Sequence, residues 1–235
     1  MKFTGGAARL GPCRYEGGID VAEGIEIDFE EAEASLFQDP GVEPSLPGMF
    51  GVLYLLRRDL KQCMTEGPEA SFPAVMLVMA GIDLLGKFYA GSDGPRSSGK
   101  RFKRFVADFM SPRSEGETDA VYQLRNALMH SFGLYSKKLD AKGKIVQEWR
   151  FGFHTGPSPT GEMVSSQGDS KYLFSITTLY RRFEAAVAAY RARLATKPEL
   201  QESFRAMFGD YGTTGVGRAD RPMTVGELED QIRQS

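Results

Sequence analysis

The segment from Leu173 to Leu194 reads LFSITTLYRRFEAAVAAYRARL, and it decides the fold class. Leu173, Ile176, Tyr180, Phe183, Val187, Tyr190 and Leu194 step by three and four for about six turns, which places them on one face of a helix. A face that apolar must be buried against something. The same period recurs upstream. Met49, Val52, Leu53, Leu56 and Leu60 form a stripe that Gly67 and Pro68 end. Val75, Val78, Met79, Ile82 and Leu85 form another, with Ser71 and Pro73 at its start, where a missing N–H is tolerated. Met76, Leu77 and Leu84 make that helix apolar nearly all round, which predicts a place in the middle of the fold. Phe102, Phe105, Val106 and Phe109 mark a shorter helix over Lys100 to Met110, stopped by Ser111 and Pro112. Val121, Leu124 and Leu128 mark one from about Glu117 to Ser131, with Gly133 as its expected stop.

The period then changes. Ile145, Trp149, Phe151 and Phe153 alternate, and the turn Asp140-Ala141-Lys142-Gly143 precedes them. This predicts a β-hairpin over 134–154. Gly156 to Ser170 reads as a polar loop, and Leu200 to Phe208 as a short helix. Residues 1–48 read as an N-terminal arm, broken by glycines and partly extended where Ile25, Ile27 and Phe29 alternate with charges. Pro40, Pro44 and Pro47 close it. Residues 209–235 read as a glycine-rich, then polar tail, in which Thr224 and Glu227 suit a small helix cap. The expected fold is mainly α, a bundle of about five helices over 49–208 with an inserted β-hairpin.

The chain has 235 residues, and its formal charge of −2 excludes nucleic-acid binding by bulk positive charge alone. Two cysteines, Cys13 and Cys63, make no disulfide framework, and two histidines, His130 and His154, make no His-rich metal site. No metal or cofactor is expected. No apolar run reaches the roughly 18 residues of a membrane span, and Met1 to Pro12 lacks the apolar middle of a secretory signal. A cytoplasmic protein without a membrane partner is expected.

One constellation carries chemistry. Val121 to Ser131 places Arg125, Asn126 and His130 at the end of an amphipathic helix, and Asn126 is the only asparagine in the chain. Asn126 and His130, four apart, share a face. Arg125 and His130 lie roughly 140° apart around the axis. Either two copies of the helix meet in a dimer, or the arginine curls along its own helix. Histidine moves protons near neutral pH, to or from a ribose 2′-hydroxyl or a leaving oxygen. Arginine grips phosphate in a fork and stabilises a pentavalent phosphorus. Asparagine can orient the imidazole or bond a phosphate oxygen. Ser131 and Tyr135 are accessory donors in this reading. Lys100, Arg101, Lys103, Arg104, Lys137 and Lys138 are candidates for tracking an RNA backbone.

The run Leu124-Arg125-Asn126-Ala127-Leu128-Met129-His130-Ser131 resembles the Arg-x4-6-His signature of the HEPN superfamily, in its Arg-Asn-x3-His form. The helices at Ala74 to Tyr89 and Lys100 to Met110 resemble those that precede the motif in a bacterial branch of that superfamily. The resemblance spans about 49–135 and extends to the helix at Leu173 to Leu194. It implies a bundle of four or five helices that dimerises with motif helices facing each other. It implies a metal-independent endoribonuclease with Arg125 and His130 as the catalytic pair and Asn126 between them. RNA, a second copy of the chain, and an antitoxin or regulatory protein are the implied partners. Other members of the superfamily bind nucleotides, RNA or proteins without catalysis, so a sensing module or a helical interaction domain is the alternative.

Other features have plainer readings. Asp83 on the apolar helix is expected to be a paired carboxylate. Trp149, Phe151 and Phe153 are expected to be a sheet face packed on the bundle rather than a base-stacking platform. His154 is expected at a strand end, exposed to solvent. The glycines of 212–217 follow no βαβ strand and make no nucleotide loop.

Overall fold

A computed structural model describes residues 29–42, 49–66 and 70–215. It is mainly α, and seven helices lie within the described residues. Helix α1 is Phe29–Leu36, and it replaces the extended segment expected around Phe29. Its Ala32 and Leu36 are buried, so an i, i+4 pair anchors it, and the alternation of charges ahead of it does not continue. Ile25, Ile27, Cys13, and the Thr224–Glu227 cap lie outside the described residues.

A short strand β1, Met49–Gly51, leads directly into α2, Val52–Glu66. A Cβ on Gly51 would stand 2.2 Å from the carbonyl oxygen of Ser35, so only glycine lets β1 run this close to the end of α1. Helix α3, Ser71–Ala90, is the central element expected from its composition. It packs against α2, α4, α5, α6 and α7. At 20 residues it is also long and apolar enough to cross a membrane, which corrects the expectation that no segment is. Its burial within the bundle is that of a core helix. A 3-10 turn at Pro95–Ser97 leads into α4, Ser98–Phe109. Helix α5 is Glu115–Ser131, capped by Ser114, whose side chain accepts the Glu117 N–H at 3.1 Å.

The inserted hairpin is there, and it is half of a larger sheet. Strands β2, Tyr135–Leu139, and β3, Ile145–His154, pair antiparallel across the expected turn. Gly143 holds a positive φ of 78° in that turn. The segment read as a polar loop contains β4, Val164–Ser166. The first turn assigned to the long helix is instead β5, Lys171–Ser175. The sheet order is β2-β3-β5-β4, with β3 and β5 parallel and the other pairs antiparallel. The period could not separate these cases, because Leu173 suits a buried strand end as well as a helix start. Ser175 makes the break. Its side chain accepts the Thr178 N–H at 3.2 Å and caps α6, Ile176–Leu194.

Helix α7 runs Pro198–Tyr211, beyond the boundary set at 208. Strand β6, Thr213–Gly215, then pairs antiparallel with β1, Met49 opposite Gly215. The start of the region read as a tail is thus part of the folded body. The core joins both layers. Phe88, Phe102, Phe105, Phe183 and Phe204 are fully buried among the helices, and Trp149, Phe151 and Phe174 close the sheet side. Each such side chain contributes about 1.5–3 kcal/mol by leaving water. Trp149 and Phe151 are therefore packing residues, as their alternation indicated.

Candidate functional site

Helix α5 positions the site. Val121, Leu124 and Leu128 are buried along its inner face, which turns Arg125 and Asn126 to its flank and leaves His130 exposed in the last turn. The arginine extends along its own helix. Its Nη1 lies 3.1 Å from His130 Nε2 and donates to Asn126 Oδ1 at 3.3 Å. The three motif residues therefore meet within one chain, by the second of the two routes that the helical geometry allowed. A second copy is not needed to join Arg125 to His130.

The fourth member of the group is Asp83, from α3. Arg125 Nη2 forms a short ion pair with Asp83 Oδ2. Asp83 is the paired carboxylate expected on the apolar helix, and its partner turns out to be the motif arginine. The side chains of Arg125 and Asp83 are 13% and 25% exposed, so the pair is largely shielded from water. Arg125 Nε is buried without a hydrogen-bond partner among the described residues. A guanidinium can only donate, so His130 Nε2 accepts in this contact.

Beyond His130 the helix ends in an unusual way. The left-handed residue is Phe132, with φ 46°, and not the Gly133 that sequence indicates. The Phe132 N–H closes on Leu128 O and the Gly133 N–H on Ala127 O, both at 3.2 Å. Phe132 is 74% exposed. The chain then enters β2, which is fixed to α5 by the Ser136 Oγ bond to Gln123 Oε1 at 2.9 Å. No signal in the sequence distinguishes Phe132 from the glycine beside it.

The six basic candidates do not form one track. Arg101 is a correction. It is 7% exposed and turned inward, donating to Gly94 O and Ser97 Oγ at 2.6 Å each and to Asp93 O at 3.3 Å. Those acceptors belong to the loop and 3-10 turn before α4, where Gly94 O also accepts the Ser97 N–H at 3.1 Å, so the guanidinium is a loop clamp rather than a phosphate contact. Lys103 pairs with Asp119 at 2.5 Å and lies over the Tyr122 ring. Asp119 precedes His130 by eleven residues, about 16 Å along the helix axis, so Lys103 serves the other half of α5. Arg104 lies over the Tyr89 ring, 3.7 Å from Asp108. Lys100 is exposed on the same helix. Lys137 and Lys138 are exposed on β2, just past the site, at the edge of the sheet. Charges there also keep an edge strand from pairing with another chain. Tyr135, an accessory donor in the sequence reading, is exposed under the Arg150 guanidinium. His154 ends β3 as expected, half-buried rather than free in solvent.

A cleft of about 370 Å³ lies elsewhere, at the opposite end of α5, between Arg113, Glu117, Glu162 and Tyr172. The Glu117 carboxylate there is occupied by the backbone N–H groups of Arg113 and Met163. Among the described residues no group of three His, Cys, Asp or Glu is placed to hold a metal ion. Cys63 is half-buried on α2.

Comparison with protein-family models, with curated proteins and with solved structures finds no match. The class that fold and site define is a mainly α protein with an Asp-Arg-Asn-His cluster at one helix end, in which His130 is the exposed member.

Proposed function

We propose that the chain is a HEPN-like endoribonuclease that cleaves RNA without a metal ion and acts as a homodimer. The observation that carries the reading is the contact between Arg125 and an exposed His130, with Asp83 fixing the arginine from behind. The chemistry is transfer of the 2′-hydroxyl oxygen onto the adjacent phosphorus. The P–O5′ bond breaks and the departing O5′ takes a proton from water, leaving a 2′,3′-cyclic phosphate and a free 5′-hydroxyl, while the proton that His130 accepts from the 2′-hydroxyl returns to solvent. His130 Nε2 takes the 2′-hydroxyl proton once an incoming phosphate draws Arg125 away from it. Arg125 then donates to the non-bridging oxygens, whose charge grows in the transition state. Asn126 holds the guanidinium in register. An open site suits a polymer better than a small molecule, which a concave pocket would enclose.

A non-catalytic RNA- or nucleotide-sensing module, or a helical interaction domain, is favoured by one observation. Both terminal nitrogens of Arg125 are already engaged inside the chain. Cleavage of an unstructured RNA in EDTA separates the readings. The expected result is activity in wild type and a loss of at least a hundredfold in His130→Ala, the scale of general acid–base catalysis. Equal cleavage in wild type, His130→Ala and Arg125→Ala removes these residues from the mechanism. RNA binding without cleavage selects the sensing module.

A further inference from the structure

The structure assigns Phe132 as a stacking platform for a nucleobase of single-stranded RNA beside the scissile phosphate, an inference that rests on the ribonuclease reading above. Four observations bear on it. First, Phe132 occupies a left-handed backbone conformation that a bulky side chain rarely adopts. Gly133 follows directly and could take that conformation without strain. The fold thus keeps the strained residue where a relaxed one is at hand, and such outliers cluster at functional positions.

Second, the ring gains nothing from the core. Phe132 is the most exposed of the large hydrophobic side chains described, and no ring or cation among the described residues engages it. Third, it stands two residues after His130, so the two Cα atoms are at most about 7 Å apart. Both side chains are open to solvent at the same helix end. A ribonucleotide whose phosphate meets Arg125 and His130 has its base within reach of this ring.

Fourth, the surface that continues from Phe132 has the composition of a single-strand track. Tyr135 is exposed with Arg150 stacked over its ring at 5.4 Å. Lys137, Lys138, Lys142 and Lys144 follow on the hairpin, and none forms an ion pair with a described residue. Aromatic faces alternating with unpaired positive charge bind single strands without sequence preference. Five of the six exposed large hydrophobics among the described residues fall between 132 and 146. Charge complementarity therefore selects a polyanion over an apolar peptide as the occupant. Duplex RNA is a poor fit, since its bases are already stacked and present no free face.

Phe132→Gly and Phe132→Trp test the assignment in the full chain. The binding probe is a short single-stranded RNA bearing one 2-aminopurine, in 2′-O-methyl form so that it cannot be cleaved. The unmethylated strand reports cleavage. The glycine variant is expected to bind about tenfold more weakly, with KM raised and kcat little changed, while its Tm rises because the strained conformation is relieved. A merely structural role moves stability and affinity in the same direction, and this one moves them oppositely. The tryptophan variant is expected to bind at least as tightly as wild type. Its new indole should be quenched by RNA against the background of the single, buried Trp149. Unchanged affinity in the glycine variant overturns the platform and leaves the ribonuclease standing if wild type still cleaves. Phe132-dependent binding in a wild type that does not cleave keeps the platform and removes the nuclease. If the glycine variant instead converts a dimer to a monomer, Phe132 is a contact between copies and the assignment falls.

Discussion

Replacing Asp83 by alanine removes the carboxylate that holds Arg125 against α5, and its cost follows from how far the pair is shielded. Fully exposed ion pairs contribute about 0–1 kcal/mol. Breaking a fully buried pair costs about 3–5 kcal/mol, because the surviving charge is stranded. With side chains 13% and 25% exposed, Arg125 and Asp83 fall between these limits. Arg125 keeps Asn126 and His130 as partners, and the charge is not wholly abandoned. Asp83→Ala is therefore expected to destabilise the protein by about 2 kcal/mol, a factor of about thirty in the folding equilibrium. Urea denaturation of wild type, Asp83→Ala, Arg125→Ala and the double variant gives the coupling between the two positions, expected at about 1.5 kcal/mol. Cleavage by folded Asp83→Ala should fall as well, since the arginine loses its anchor. A coupling below about 0.5 kcal/mol, the additivity limit for unconnected sites, would refute the view that Asp83 positions the motif arginine.

Two further substitutions test other parts of the structure. Arg101→Ala should lower stability by about 2 kcal/mol, because the charge-assisted bonds to Asp93 O, Gly94 O and Ser97 Oγ are lost together. The folded variant should bind RNA with the wild-type salt dependence, whereas Lys137→Ala should reduce the slope of log affinity against log salt by about 1 if the lysine meets a phosphate. Tyr190 lies among Phe37, Tyr89, Phe105 and Phe109, and its buried hydroxyl has no hydrogen-bond partner among the described residues. Burial pushes its phenol well above the ordinary value, so it stays neutral. Tyr190→Phe should leave stability unchanged or raise it by up to about 1 kcal/mol in thermal unfolding, and a loss greater than that would show the hydroxyl to be paired.

The helical period made most of the bundle legible. Stripes such as Val75 to Leu85 and Ile176 to Leu194 fold as they read, because one buried face is all that a helix needs to declare itself. Alternation located β2 and β3, since Trp149 and Phe151 need the core. Three-residue strands were invisible. Val164–Ser166 and Thr213–Gly215 carry no period; the first pairs with the strand that follows it and the second with a strand at the other end of the described chain. At the site, Arg125, Asn126 and His130 stood out by residue type. Their meeting in one chain depends on the arginine's length and on Asp83, which lies 42 positions upstream. Arg101 shows the converse. A cation in a run of cations reads as surface, and only the acceptors of the preceding loop, Asp93 O, Gly94 O and Ser97 Oγ, explain why it turns inward.

The antiparallel pairing of Met49 with Gly215 sets how the molecule answers to pulling. Tension entering at these two residues reaches both strands from the same end. The ladder then opens as a zipper does, one bond after another, instead of resisting as a block. Helices α2 and α7 are next along the line of force, one behind each strand, while α5 and its histidine sit furthest back in the unravelling.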